Sequence, residues 1–227
     1  MIPVITVDGP SGVGKGTVCG HLARRLGFHL LDSGSLYRLT GLAVRRAGVD
    51  FSDALGCAEI ASHLDARFEN QGSLSVFLES QDVSEVIRTE QASRDASVVA
   101  AIPQVRDALM EWQRHAQRAP GLIADGRDMG TAVFPSAGLK IYLDASAQER
   151  AQRRYLQLRE TDKTVTLAAI LRDLETRDRR DSQREASPLK PADDARVLDT
   201  SALGQDEMLA LIDQWVDQHL LDLGLRP

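Results

Sequence analysis

The chain has 227 residues, 43% of them hydrophobic and 26% charged, with a formal net charge of −6. That balance suits a soluble globular protein able to bury a sizeable core; it excludes a disordered chain and argues against nucleic acid as a bulk partner. No run approaches the roughly 18 apolar residues of a membrane span, and Cys19 and Cys57 lie far apart, outside metal or CxxC spacing, as expected of reduced cytoplasmic thiols.

Residues 2–7 read as a short buried strand, with no basic start followed by an apolar signal segment. A Gly-rich loop follows, then a helix on which Val18, Leu22, Ala23 and Leu26 recur at helical spacing before Gly27 stops it. Further apolar runs at 29–31, 122–124, 140–143 and 196–198 read as strands, mostly separated by helical patterns. This alternation predicts an α/β fold, a parallel sheet covered by helices on both faces. One stretch differs: Leu74, Val76 and Leu78 alternate with Ser75 and Phe77, between turns expected at 70–73 and at Ser80-Gln81-Asp82. Residues 63–90 are therefore expected to form a small antiparallel insert, the alternative being an edge extension of the main sheet. Residues 187–191, with two prolines, read as a loop before the last strand, and no internal repeat is present.

Gly9-Pro10-Ser11-Gly12-Val13-Gly14-Lys15 matches the first seven positions of the phosphate-binding loop G-x-x-x-x-G-K-[ST], between a strand and a helix as that motif requires. Glycines let the backbone wrap a polyphosphate, the helix N-terminus adds its dipole, and Lys15 supplies a charge for the outer phosphates. The next residue is Gly16, and the hydroxyl is delayed to Thr17, so direct ligation of magnesium by Thr17 is only one option. No Asn-Lys-x-Asp guanine-reading motif occurs, which argues against a GTPase.

The basic residues are nearly all arginine, and their placement carries the next expectations. Ile170, Leu174, Arg177, Asp181 and Arg184 fall on one helical stripe within 166–184. The stripe is apolar and then charged: either the helix leaves the core to line an anion-binding cleft, or Arg177 and Asp181 form an exposed pair worth little. Ser146-Ala147-Gln148-Glu149 reads as a capping box opening a helix that carries Arg150, Arg153, Arg154 and Arg159. Arg150 and Arg154, one turn apart, are placed to share a ligand, unless that face is merely solvated. Asp32 and Asp125 each end a predicted strand, where open α/β sheets bind ligands. Helix capping is the alternative for Asp32; for Asp125 the choices are a loop-holding carboxylate or magnesium bound through water.

The phosphate loop, with Gly-Lys-Gly-Thr, resembles that of nucleoside monophosphate kinases. Asp32-Ser33-Gly34-Ser35-Leu36-Tyr37-Arg38, then Ala124-Asp125-Gly126-Arg127-Asp128-Met129-Gly130-Thr131, then Lys140-Ile141-Tyr142-Leu143-Asp144-Ala145-Ser146 and the Arg-rich helix after it resemble the signature segments of bacterial-type cytidylate kinases. The resemblance covers essentially the whole chain. It implies one P-loop kinase domain over 1–227, a three-layer sandwich with an acceptor-binding insert at 63–90 and a helical lid at about 146–165. It further implies transfer of the γ-phosphate of ATP to CMP, and to dCMP, with magnesium accompanying ATP. Gly9 to Thr17, Arg150 and Arg154 would bind ATP. Ser33, Tyr37, Arg38 and Arg127 would line the acceptor phosphate and ribose, Ser97, Arg106 and Asp128 the pyrimidine. Arg177, Asp181 and Arg184 would also contact the acceptor, with Lys15, Arg127 and Arg184 as the catalytic cations. A carboxylate such as Asp128 suits cytosine, whose exocyclic amine donates where uracil accepts. The expectation is a cytoplasmic monomer with no nucleic-acid or membrane partner. A same-fold kinase for UMP, AMP or a small metabolite is the near alternative. A non-catalytic ATP-dependent switch is the distant one, and it would need no second phosphate pocket.

Overall fold

The computed structural model describes residues 2–70, 74–160, 163–222 and Gly224. In chain order its elements are β1 (Val4–Asp8), α1 (Lys15–Leu26), β2 (His29–Asp32), α2 (Ser33–Arg46), α3 (Ala54–Ser62), β3 (Ala66–Asn70), β4 (Leu74–Leu78), β5 (Gln81–Asp82), α4 (Glu90–Val99), α5 (Pro103–Arg114), β6 (Leu122–Gly126), β7 (Leu139–Asp144), α6 (Ala147–Leu158), α7 (Leu167–Gln183), β8 (Arg196–Asp199) and α8 (Gln205–Asp222). A π-helical turn, Met129–Val133, follows β6. The main sheet runs β2-β6-β1-β7-β8, and the β1–β6, β1–β7 and β7–β8 pairs are parallel, as the buried apolar runs predict.

The chain divides into two compact units, one of Met1–Leu31, His115–Gln183 and Ser187–Pro227, the other of Asp32–Arg114 with Arg184–Ala186. In the first, Ile5 and Val7 of β1 join Ile123, Ile141 and Leu143 in a buried cluster with Val18 and Leu22 of α1 and Ile212 and Val216 of α8. Each such side chain contributes roughly 1.5–3 kcal/mol by leaving water. Thr6 and Asp8, with opposite parity on β1, face the π-helical turn instead: a Cβ on Gly130 would come within 2.9 Å of Thr6 Oγ1. The capping box differs from expectation. Ser146 Oγ accepts from Glu149 N–H at 3.2 Å, but the Glu149 carboxylate accepts from Arg153 Nε at 3.0 Å. It is not needed at the cap, because Ser146 N–H already donates to Ser201 Oγ at 2.9 Å.

The second unit holds α2–α5 and the antiparallel sheet β3-β4-β5. Val76 and Leu78 are buried, and Phe77 on the opposite face lies under the Arg67 guanidinium, 4.5 Å from its ring centroid. Of the first expected turn, residues 71–73 lie outside the described residues. The second turn comes one residue early: Glu79 and Ser80 take φ of 50° and 65°, and Gln81–Asp82 already form β5. A two-residue hairpin loop needs positive φ at both central positions to match strand twist, and that requirement prevails even without glycine. Helix α2 meets α4 at Gly41, where a Cβ would sit 2.9 Å from Asp95 Cβ, and Arg45 clamps both Asp95 oxygens at 2.8 and 2.7 Å.

Candidate active site

The loop between β1 and α1 is built for close backbone approach. Gly9 has φ of 146°, and a Cβ there would lie 2.1 Å from Leu143 O; Gly12 and Gly14 also have positive φ. Gly16, by contrast, has open space around its would-be Cβ, and Thr17 is exposed on the first turn of α1. Lys15 is buried and folds back so that Nζ donates to Pro10 O at 2.7 Å.

Cations gather around this loop. Burial, then the Arg127 guanidinium and, more weakly, Arg177 lower the Lys15 pKa from 10.5 to about 7, against the opposing pull of Asp125. Arg177 Nη1 reaches Ser11 Oγ at 3.4 Å, and Arg127 Nε donates to Asp181 Oδ2 at 3.1 Å. The same Asp181 oxygen lies 3.9 Å from Arg177 Nε, so one buried carboxylate serves two guanidiniums. Arg177 and Asp181 are thus no exposed pair, and the charged stripe of α7 faces inward as far as Asp181. Arg184 is also buried, but it lies one residue beyond the end of α7.

Arg150 and Arg154 lie one turn apart on α6, as expected. Arg150 is buried and its donors are taken inside the chain, Nε by Ala145 O at 3.0 Å, Nη1 by Ser11 O at 3.1 Å and Nη2 by Asp178 Oδ2 at 2.5 Å. It braces the phosphate loop through Ser11, while Arg154, one turn further along α6, is half-buried.

Asp8, which no motif singled out, is buried beside the loop. Its Oδ1 and Oδ2 accept from Met129 N–H and Gly130 N–H, each at 2.8 Å. Burial raises its pKa from 3.8 to about 6, with Asp128 raising it further while the two amides and Lys15 oppose. Asp128 is itself 2% exposed. Asp8 was detectable as the only acidic residue of its strand, directly before Gly9.

Within the second unit, Asp32 caps α2: Oδ1 accepts from Ser35 N–H at 2.9 Å and Oδ2 from Ser35 Oγ at 2.6 Å. Ser33, Tyr37 and Ser97 are buried. Arg106, also buried, donates to Ala100 O at 3.2 Å with its guanidinium carbon 5.6 Å from the Tyr37 ring centroid. Arg38 Nη1 donates to Ile87 O at 2.7 Å. Among the described residues no group of three or more His, Cys, Asp or Glu is placed to hold a metal ion, and no helix is long and apolar enough to cross a membrane.

Residues 5–218 match the cytidylate kinase family. The cytidylate kinase of Pseudomonas paraeruginosa is 50% identical over 225 residues, 98% of each chain, and that of Pseudomonas fluorescens is 54% identical over 215 residues, 93% of this chain and 94% of the other. An uncharacterized protein of Eubacterium ventriosum, known from its crystal structure, shares the fold with a TM-score of 0.52 at 10% identity, covering 96% of this chain and 99% of that one. The phosphate loop, its surrounding arginines and this similarity along nearly the whole length agree, and the chain belongs to the cytidylate kinase family.

Proposed function

We propose that this chain transfers the γ-phosphate of ATP to CMP or dCMP, giving ADP and CDP or dCDP. One observation carries the reading: Lys15 is buried in a phosphate-binding loop where Arg177 reaches Ser11 and Arg127 helps lower the lysine's pKa, a cluster of cations that a bound polyphosphate would complete. A switch that only binds ATP needs no second phosphate pocket.

An oxygen of the acceptor phosphate attacks the γ-phosphorus as the bond to the β–γ bridging oxygen breaks, and the leaving charge stays on ADP. The protein's task is placement and charge compensation. Gly9 to Thr17 hold the donor, with Lys15 on its outer phosphates. Arg127 and Arg184 orient the acceptor phosphate, Arg177 and Asp181 also contact the acceptor, and Ser33, Tyr37, Arg38, Ser97, Arg106 and Asp128 bind the acceptor nucleoside and phosphate. The donor set fits magnesium arriving with ATP rather than a resident metal: no three-residue cluster exists among the described residues, while the exposed Thr17 hydroxyl and the Asp125 carboxylate offer oxygen. Magnesium would neutralise phosphate charge there. Residues 63–90 act as the acceptor insert and 146–165, with Arg154, as the lid. The protein works as a cytoplasmic monomer on small nucleotides. ADP release measured over a panel of monophosphates tests this: stimulation by CMP and dCMP above UMP and AMP is expected, and no stimulation by either cytidine nucleotide sinks it.

A further inference from the structure

Arg127 and Asp128 lead into a single π-helical turn, closed by Phe134 N–H donating to Met129 O at 2.7 Å. Its first amides need acceptors, as at any helix start. Asp128 occupies the capping position but its side chain makes no cap. The acceptors come instead from Asp8, more than a hundred residues away in sequence, whose two oxygens take the Met129 and Gly130 amides at 2.8 Å each. Asp8 is rigidly placed: it ends β1, pairs in register with Gly126 and Tyr142, and precedes Gly9, which Leu143 O holds close. The turn is seated as firmly, since Gly130 packs on Thr6 and the Lys140 stem.

We infer that Asp8 is a positioning residue: by capping the turn after β6 from the strand that feeds the phosphate loop, it fixes Arg127 and Asp128 relative to the donor phosphates. The inference rests on the reading of Arg127 as an acceptor-phosphate contact and adds what holds it there. A purely structural carboxylate would support folding and leave the two substrates equally affected. A positioning carboxylate loosens one side of the reaction.

Asp8→Asn keeps the volume and one acceptor but sets an amide N–H₂ against one backbone N–H. The expected result is a roughly 10- to 100-fold fall in kcat/KM for CMP, as for loss of one charge-assisted contact, with the KM for ATP changed less than about threefold. In an Arg127→Ala background the Asp8→Asn effect should shrink to about twofold or less, because the residue being positioned is gone. Equal loss for both substrates, or full additivity with Arg127→Ala, overturns the inference. If Arg127→Ala weakens CMP and Asp8→Asn does not, only the role of Asp8 fails; if neither weakens CMP, the acceptor reading fails with it. Should Asp8→Asn not fold, Asp8→Glu shifts the turn while retaining both acceptors, and the same CMP-selective loss is expected. Hydrogen exchange of the wild-type protein adds a test without mutation: the Met129 and Gly130 amides should be strongly protected, and exchange at exposed-loop rates refutes the cap.

Discussion

Lys15 is a buried cation flanked by cations, so it costs the ligand-free protein stability that a bound polyphosphate returns. Its pKa of about 7 in the fold lies below the ordinary 10.5, so between those values the unfolded chain holds a proton the native state has released. Stability therefore rises with pH across that window, and below about pH 7 the cost is fully present. Asp8 works oppositely: with its pKa raised from 3.8 to about 6, the native state keeps a proton the unfolded chain loses, and stability falls as pH climbs through that range. Together the two groups place a trough near pH 6–7. Lys15→Met should remove the rise above pH 7 in denaturant midpoints of the ligand-free protein, and should cut turnover by about 10²-fold or more. A slope that survives the substitution assigns it to other groups. At the neighbouring turn, Asp128→Asn should lower the preference for CMP over UMP, since an amide donates as well as accepts. Equal impairment of both acceptors would make Asp128 structural. Lys15 was legible because its motif has fixed spacing; for Asp8 only its position could mark it, because its partners are backbone amides supplied by a distant strand connection, and amides leave no residue signature.

At the scale of elements, α6 and α7 show where periodicity stops informing. The stripe on α7 is real, and its inward direction follows from Ile170 and Asp181 both being buried. Helical spacing, however, cannot tell what an arginine on the stripe reaches: Arg177 Nη1 lies 3.4 Å from Ser11 Oγ of the phosphate loop. Arg150 shows the same limit. On the sequence it sits one turn from Arg154, but only the fold shows that Asp178, Ala145 O and Ser11 O consume its donors. Removing one member of a buried ion pair typically costs about 3–5 kcal/mol. Arg150→Met, which keeps the stem that packs beside Gly12, should accordingly lower the melting temperature and raise the KM for ATP while sparing the KM for CMP. A variant with unaltered stability and weakened ATP binding would make Arg150 a direct nucleotide contact rather than a brace of the loop.

For the molecule as a whole, the parallel sheet and the antiparallel insert were legible because buried strands and hairpins have short, local patterns. The division into two compact units was not, since α2–α5 and the three residues after α7 are joined by packing between segments remote in sequence. Arg184 makes that division testable. It directly follows α7, whose Arg177 and Asp181 belong to the first unit, yet it groups with Asp32–Arg114, the unit that holds Ser33, Tyr37, Arg38, Ser97 and Arg106. Being 9% exposed, it is not a solvated end of the helix. As an acceptor contact, its replacement by Ala should raise the KM for CMP roughly 10- to 150-fold, the loss expected for one charge-assisted bond in a closed site, and leave the KM for ATP close to normal. CMP should then no longer raise the melting temperature at concentrations that stabilise the wild type, because stabilisation follows occupancy. As a purely structural arginine it would instead lower the melting temperature without ligand, and CMP would stabilise the variant as before. A folded Arg184→Ala protein with ordinary CMP affinity therefore removes Arg184 from the acceptor site and leaves it a packing residue of the second unit.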